Sequence, residues 1–124
     1  MRKWDDHMIK IEAIVRPERL GAVVEAMDAA GCGGYNYVNV TGRGQQQGVE
    51  VFTGRGASTT RRTALPKVMV TTVVSDDKKD TVIEAIISAA RSDDEGNIGD
   101  GKIFVSPVSE VVRVRTGEKD DAAL

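Results

Sequence analysis

The segment Thr41–Leu65, TGRGQQQGVEVFTGRGASTTRRTAL, divides the chain into two halves of one pattern. Before it, IKIEAIV (Ile9–Val15) alternates apolar and polar residues, as a half-buried strand does. Pro17 suits a first helical turn, and Leu20, Val23, Val24 and Met27 form one helical stripe that Gly31 ends. YNYVNV (Tyr35–Val40) alternates again as a second strand. After it, VMVTTVV (Val68–Val74) is rich in β-branched residues and reads as a strand. Asp76 and Asp77 offer capping carboxylates to a helix carrying Val82, Ile83, Ile86, Ile87 and Ala90 on one face. The polar loop RSDDEGNIGDG leads to a short strand, KIFV, broken by Pro107, and VVRVR (Val111–Arg115) reads as a further strand.

Strand, helix, strand on each side of a long loop gives an α+β class with β-α-β-β-α-β order, the ferredoxin-like arrangement. Both helices then cover one face of an antiparallel sheet. The other face also needs cover, which predicts oligomerisation. The dividing segment holds five glycines, three glutamines, four arginines and five threonines with no sustained period. A 25-residue irregular stretch inside a compact domain is uncommon and is usually functional or disordered.

Composition narrows the function. The 124 residues suit one domain, and only 4% are aromatic, so the core must be aliphatic. A net charge of −2 provides no general field for polyanions, so any anion site must be built from a few local cations. The basic pair Arg61–Arg62 and the few aromatics do not make a nucleic-acid surface. The single cysteine, Cys32, excludes an internal disulfide and fits a reducing cytosol. His7 lacks metal-ligand partners at zinc spacing and, like Trp4, reads as a tail residue. No apolar run approaches the ~20 residues of a membrane span, and MRKWDDHMIK does not read as a signal peptide. Ser58, Ser75, the threonines and Cys32 have no neighbouring histidine, so no nucleophile–base pair appears and an enzyme is not expected.

Two near-motifs remain. Gly96, Gly101 and Lys102 have phosphate-loop spacing, but Ile103 stands where Ser or Thr should. A true P-loop follows a strand and opens a helix, and here the order is reversed, so that reading fails. The local chemistry survives. Gly99 and Gly101 allow backbone amides to converge on an anion, and Lys102 adds a point charge. Arg113 and Arg115, two apart, fall on one side of a strand, and their forks suit phosphate oxygens. Equally, Gly-Asp-Gly is a tight turn and the arginines are the solvated face of their strand; the residues alone leave both open. GRGQQQG misses the dinucleotide motif by one residue and precedes no helix.

GDGKIFV followed by VVRVRTGEKDDAAL resembles the C-terminal half of the PII signal-transduction proteins. IEAIVRPERL is similar to their first strand and helix start, and VTGRGQQQG with LPKV to the root and exit of their long T-loop. The resemblance implies one domain over 9–124 after an extension at 1–8, with the T-loop at about 42–65, a nucleotide loop at about 91–102 and a C-terminal loop at 113–124. It implies a cytoplasmic homotrimer that binds ATP or ADP between subunits and, with Mg-ATP, 2-oxoglutarate. The T-loop then selects a partner: a membrane ammonium transporter, a metabolic enzyme or a nitrogenase component. Membrane contact would come only through a transporter.

By the resemblance, Gly99, Asp100, Gly101 and Lys102 hold the nucleotide phosphates, and Arg113 and Arg115 reach them from a neighbouring strand. Gly44 lies at the T-loop root and Val73 near the adenine. Gln46 ligates Mg2+ with the phosphates and effector, and Lys67 pairs with a carboxylate of 2-oxoglutarate. Arg55, Ser58, Thr59, Thr60, Arg61 and Arg62 form the partner or modification loop. Departures are Gln45, where family members usually carry arginine, a T-loop with no tyrosine to modify, and a longer, more acidic SDDEG segment. They leave an alternative: a PII-like module for another small anion or nucleotide, with the arginine-rich loop as a dedicated docking arm.

Overall fold

The computed structural model describes residues 8–42, 49–52, 59–62 and 65–124. Strand β1 (Met8–Val15) leads through a 3-10 turn at Pro17–Arg19 into α1 (Leu20–Ala29). β2 (Asn36–Gly42), β3 (Val49–Phe52), β4 (Thr59–Arg62) and β5 (Leu65–Ser75) follow. A second 3-10 turn, Asp76–Lys78, opens α2 (Lys79–Ala90), and β6 (Gly101–Val108) is the last strand. Four strands form one sheet in the order β2-β5-β1-β6, every pair antiparallel. With two helices on one face, this is the ferredoxin-like arrangement that the two-fold echo predicts.

Alternation decides which side chains are buried. Ile11, Ala13 and Val15 of β1 and Val68, Val70 and Val74 of β5 share the face that packs on Val23 and Met27 of α1 and Val82 and Ile86 of α2. The core is aliphatic, as the shortage of aromatics requires. Thr72 is its one buried polar side chain among the described residues, and it donates to the Gly34 carbonyl at 2.6 Å. The opposite face carries Glu12 and Ile14 of β1 with Thr71, Met69 and Val73 of β5. On the same face, Val38 of β2 and Phe104 of β6 stay 47% and 50% exposed, so an apolar surface stands open on the single chain.

Gly31 ends α1 as its position predicts. Its φ is +90°, and the bonds Cys32 N–H to Met27 O and Gly31 N–H to Asp28 O, both 3.1 Å, make a Schellman cap. The start of α2 differs from expectation. No side chain caps its backbone; instead the Ser75 hydroxyl donates to the Asp77 carboxylate, and the acids sit in the preceding turn.

Three further expectations change. The dividing segment contains a short antiparallel ladder, Val49–Phe52 against Thr59–Arg62, where no period suggested strands. Pro107 does not break its strand. It lies inside β6 opposite Ile9, and β6 is an edge strand, the place in a sheet where proline is tolerated. Val111–Arg115 is not a strand of the sheet. The chain turns back at Gly117 (φ +71°), leaving one bridge, Val112 to Lys119, and a 2.8 Å bond from Arg113 N–H to Glu118 O. Arg113 and Arg115 therefore sit in a tight turn rather than on a strand face.

Ile11, with no exposed surface, lies at the centre of β1. Ile11→Ala should cost about 2–5 kcal/mol in urea unfolding, and a loss under about 1 kcal/mol would contradict this packing.

Candidate functional site

Three elements meet at one end of the sheet. β1 ends at Val15, β5 runs beside it with Val68 opposite Val15, and Gly101 starts β6 on its other side, also opposite Val15. The loop from Arg91 to Asp100 joins the end of α2 to this point. Arg16 precedes a proline, which keeps its backbone extended (φ −64°, ψ 140°) and continues the line of β1.

The loop is tied to these elements by charge-assisted bonds. Arg16 Nε donates to Asp100 Oδ1 at 3.0 Å, and Arg16 Nη2 to the Ile98 carbonyl at 3.0 Å. The other oxygen, Asp100 Oδ2, accepts the amides of Ser92 (3.1 Å) and Asn97 (2.8 Å). Lys67 Nζ donates to the Gly99 carbonyl, and Arg19 Nη2 to the Ser92 carbonyl at 3.0 Å. Burial pushes the Asp100 carboxyl upward, but the Asn97 and Ser92 amides and the Arg16 guanidinium outweigh it and hold the carboxyl well below the usual carboxylate range. Burial, then the Arg16 charge, lowers the Lys67 ammonium from its ordinary value.

Gly101 must be glycine. Its φ is +124°, and a Cβ there would stand 1.8 Å from the Ile14 carbonyl oxygen. Gly99 (φ +95°) is likewise left-handed. Lys102 follows, exposed and opposite Ile14 in the ladder. In the acidic segment, which is exposed, Asp93 folds back on its own turn, accepting the Glu95 and Gly96 amides at 3.0 and 2.8 Å and the Asn97 side-chain amide at 3.0 Å. Arg16, Lys67 and Lys102 thus surround a glycine loop whose Asp100 is already ion-paired, a geometry suited to an anion. Behind the loop, on the helix side, lies an open groove of about 640 Å³ lined by Ile83, Ile87, Ile103 and Val105.

The structure brings Lys67, Gly99, Asp100, Gly101 and Lys102 together. Val73 is half-buried opposite Lys10 on the open face. Arg113 is held by Glu118 at 2.8 Å within its own turn, and Arg115 is exposed. Gly44, Gln45, Gln46, Arg55 and Ser58 lie outside the described residues, as do Trp4 and His7, and Thr59–Arg62 is described only as ladder backbone. Among the described residues no group of His, Cys, Asp and Glu could hold a metal ion. Sequence reasoning missed Arg16, Ser92 and Asn97. The one available signal was an arginine fixed by a following proline at the end of a strand.

Fold and site define a small ferredoxin-like domain with a cation-ringed glycine loop at the sheet end. The family model described as nitrogen regulatory protein P-II matches residues 8–118. A nitrogen regulatory protein P-II 2 of Methanothermobacter thermautotrophicus is 48% identical over 118 residues, covering 94% of this chain and 97% of that protein. A nitrogen regulatory protein P-II of Cereibacter sphaeroides is 46% identical, covering 94% of this chain and all of that one. A structure described as Arabidopsis thaliana PII bound to citrate superposes with TM-score 0.75 at 39% identity, covering 97% of this chain and 94% of that chain. The B. subtilis GlnK structure gives TM-score 0.75 at 28% identity, covering 95% and 99%. The chain belongs to the nitrogen regulatory protein P-II family, whose members are signal-transduction regulators rather than enzymes.

Gly101→Ala should cost about 3 kcal/mol or more, since it adds both a clash and left-handed strain; a wild-type urea midpoint would contradict the loop geometry. The Asp100 bonds also set a pH dependence. The folded carboxyl titrates below its unfolded value, so its contribution is complete above about pH 4 and is lost as pH falls through the depressed value. The stability advantage of wild type over Asp100→Asn should therefore be flat from neutral pH down to about 5 and shrink below about 4.

Proposed function

We propose that the chain is a PII-type regulator that binds ATP or ADP at the Gly99–Lys102 loop and, with Mg-ATP, 2-oxoglutarate beside Lys67. The supporting observation is the loop itself: glycines with positive φ, pinned by Arg16 and Lys67, with Lys102 exposed at the mouth. Backbone amides and a lysine are the groups that receive phosphate oxygens. Lys67 would exchange the Gly99 carbonyl for an effector carboxylate, which ties effector arrival to the nucleotide loop. The citrate of the Arabidopsis thaliana relative is a polycarboxylate, in keeping with a carboxylate effector.

The half-exposed Val38 and Phe104 on the open sheet face fit burial in a homotrimer, and the clefts between subunits would let Arg113 and Arg115 of one chain meet the loop of the next. Gln46 would hold Mg2+ with the phosphates and effector, and Gly44 and Val73 would flank the nucleotide. Ligand state would set the loop at about 42–65, and Arg55, Ser58 and Thr59–Arg62 would meet the partner. That partner would be an ammonium transporter of the membrane, a metabolic enzyme or a nitrogenase component; no described helix of this chain is long and apolar enough to cross a membrane.

Calorimetry should show ATP binding at micromolar Kd, with 2-oxoglutarate binding only when Mg-ATP is present. Lys102→Ala should weaken ATP by roughly 1.5–3 kcal/mol, as loss of a charge-assisted bond does. Absence of adenine-nucleotide binding would overturn the proposal. Binding of ATP but never of 2-oxoglutarate would favour the second reading, a different small anion, which Gln45 in place of arginine also favours.

A further inference from the structure

The glycine loop owes its shape to a residue far from it. Arg16 and Asp100 are 84 positions apart, yet their side chains pair at 3.0 Å with only 21% and 15% of each exposed. We infer that Arg16 is a positioning residue of the anion site, acting through Asp100 and the Ile98 carbonyl to aim the loop's amides at the ligand. This rests on the nucleotide reading above.

Peptide geometry carries the argument. In a trans peptide the carbonyl and the following N–H point in opposite directions. Arg16 draws the Ile98 carbonyl toward β1, so the Gly99 N–H is turned to the other side. Lys67 draws the next carbonyl, Gly99, inward, and the left-handed Gly99 backbone (φ +95°) accommodates both. The Asp100 N–H is used in the turn, donating to the Asn97 carbonyl at 3.1 Å. The Asp100 carboxylate meanwhile gathers Arg16, Ser92 N–H and Asn97 N–H, which closes the loop from 92 to 100 on itself. Arg16 therefore does two things at once. It fixes the peptide that presents Gly99, and it neutralises the carboxylate closest in sequence to the phosphate-binding glycines. Pro17 locks the arginine's backbone in the extended form that reaches the loop.

The test is ATP titration of the full chain by calorimetry, for wild type, Arg16→Met, Arg16→Lys, Asp100→Asn and the Arg16→Met/Asp100→Asn double variant, with melting temperatures alongside. Arg16→Met should raise the ATP Kd about tenfold, the loss of one charge-assisted bond, and Arg16→Lys should recover part of it. Asp100→Asn gives the test of sign. Removing a negative charge beside phosphates should tighten ATP binding if charge alone matters, whereas the clasp predicts weaker binding. The double variant should bind no worse than the poorer single variant, because both changes break one unit. Hydrogen exchange on the ligand-free proteins adds a readout independent of nucleotide: the Ser92 and Asn97 amides should exchange faster in Arg16→Met and Asp100→Asn. Unchanged ATP affinity in Arg16→Met, or tighter binding in Asp100→Asn, overturns the inference. Wild type without ATP affinity overturns the nucleotide reading, while unchanged exchange in both variants overturns the clasp itself.

Discussion

One carboxylate holds the candidate site at the sheet end together. Asp100 takes the Arg16 guanidinium on one oxygen and the Ser92 and Asn97 amides on the other. A carboxylate with only 15% of its side chain exposed would be costly if unpaired, because burial penalises its charge. Paired three ways, it joins the ends of β1, α2 and β6. The fold supplies these partners because β1 lies centrally, bonded to β5 on one side and β6 on the other. Lys67 and Arg16 arrive from neighbouring strands at the same corner, and the loop lies across both.

That arrangement links the packing of the sheet to its chemistry. β1 buries Ile11, Ala13 and Val15 toward the helices, while the opposite parity carries Ile14 and, past the strand end, Arg16. The approach of the Ile14 carbonyl to Gly101 leaves no room for a side chain, so the start of β6 is pressed against the end of β1. The loop is thus tied to the core by contacts at both ends, and amides ordered in advance would bind a ligand at low entropic cost. Lys67 serves the shape of this corner, its ammonium holding the Gly99 carbonyl; under the proposed function the same group would also meet a carboxylate effector.

The sequence makes the scaffold legible because each element carries its own period. IKIEAIV alternates and becomes β1, and Gly31 ends α1 with positive φ as a stop residue should. Gly99 to Lys102 stand out as chemistry even after the P-loop reading fails. What escaped has physical reasons. Arg16 looks like any surface cation, and nothing in periodicity links it to Asp100 across the chain. VVRVR has a strand's alternation but no partner ladder, so it closes into a turn with Arg113 on Glu118. Pro107 looks like a breaker until β6 proves to be an edge. The VEVF and TTRR runs of β3 and β4 are too short and too polar to announce a ladder.

The central claim is that the Gly99–Lys102 loop receives nucleotide phosphates. Backbone amide resonances followed by NMR as ATP is added to the full chain test it most directly. The account predicts that the largest shifts fall on Gly99, Gly101 and Lys102, with Ser92 and Asn97 following through the Asp100 clasp. Saturating ATP that leaves these amides unmoved, or shifts cluster elsewhere on the sheet, would contradict it.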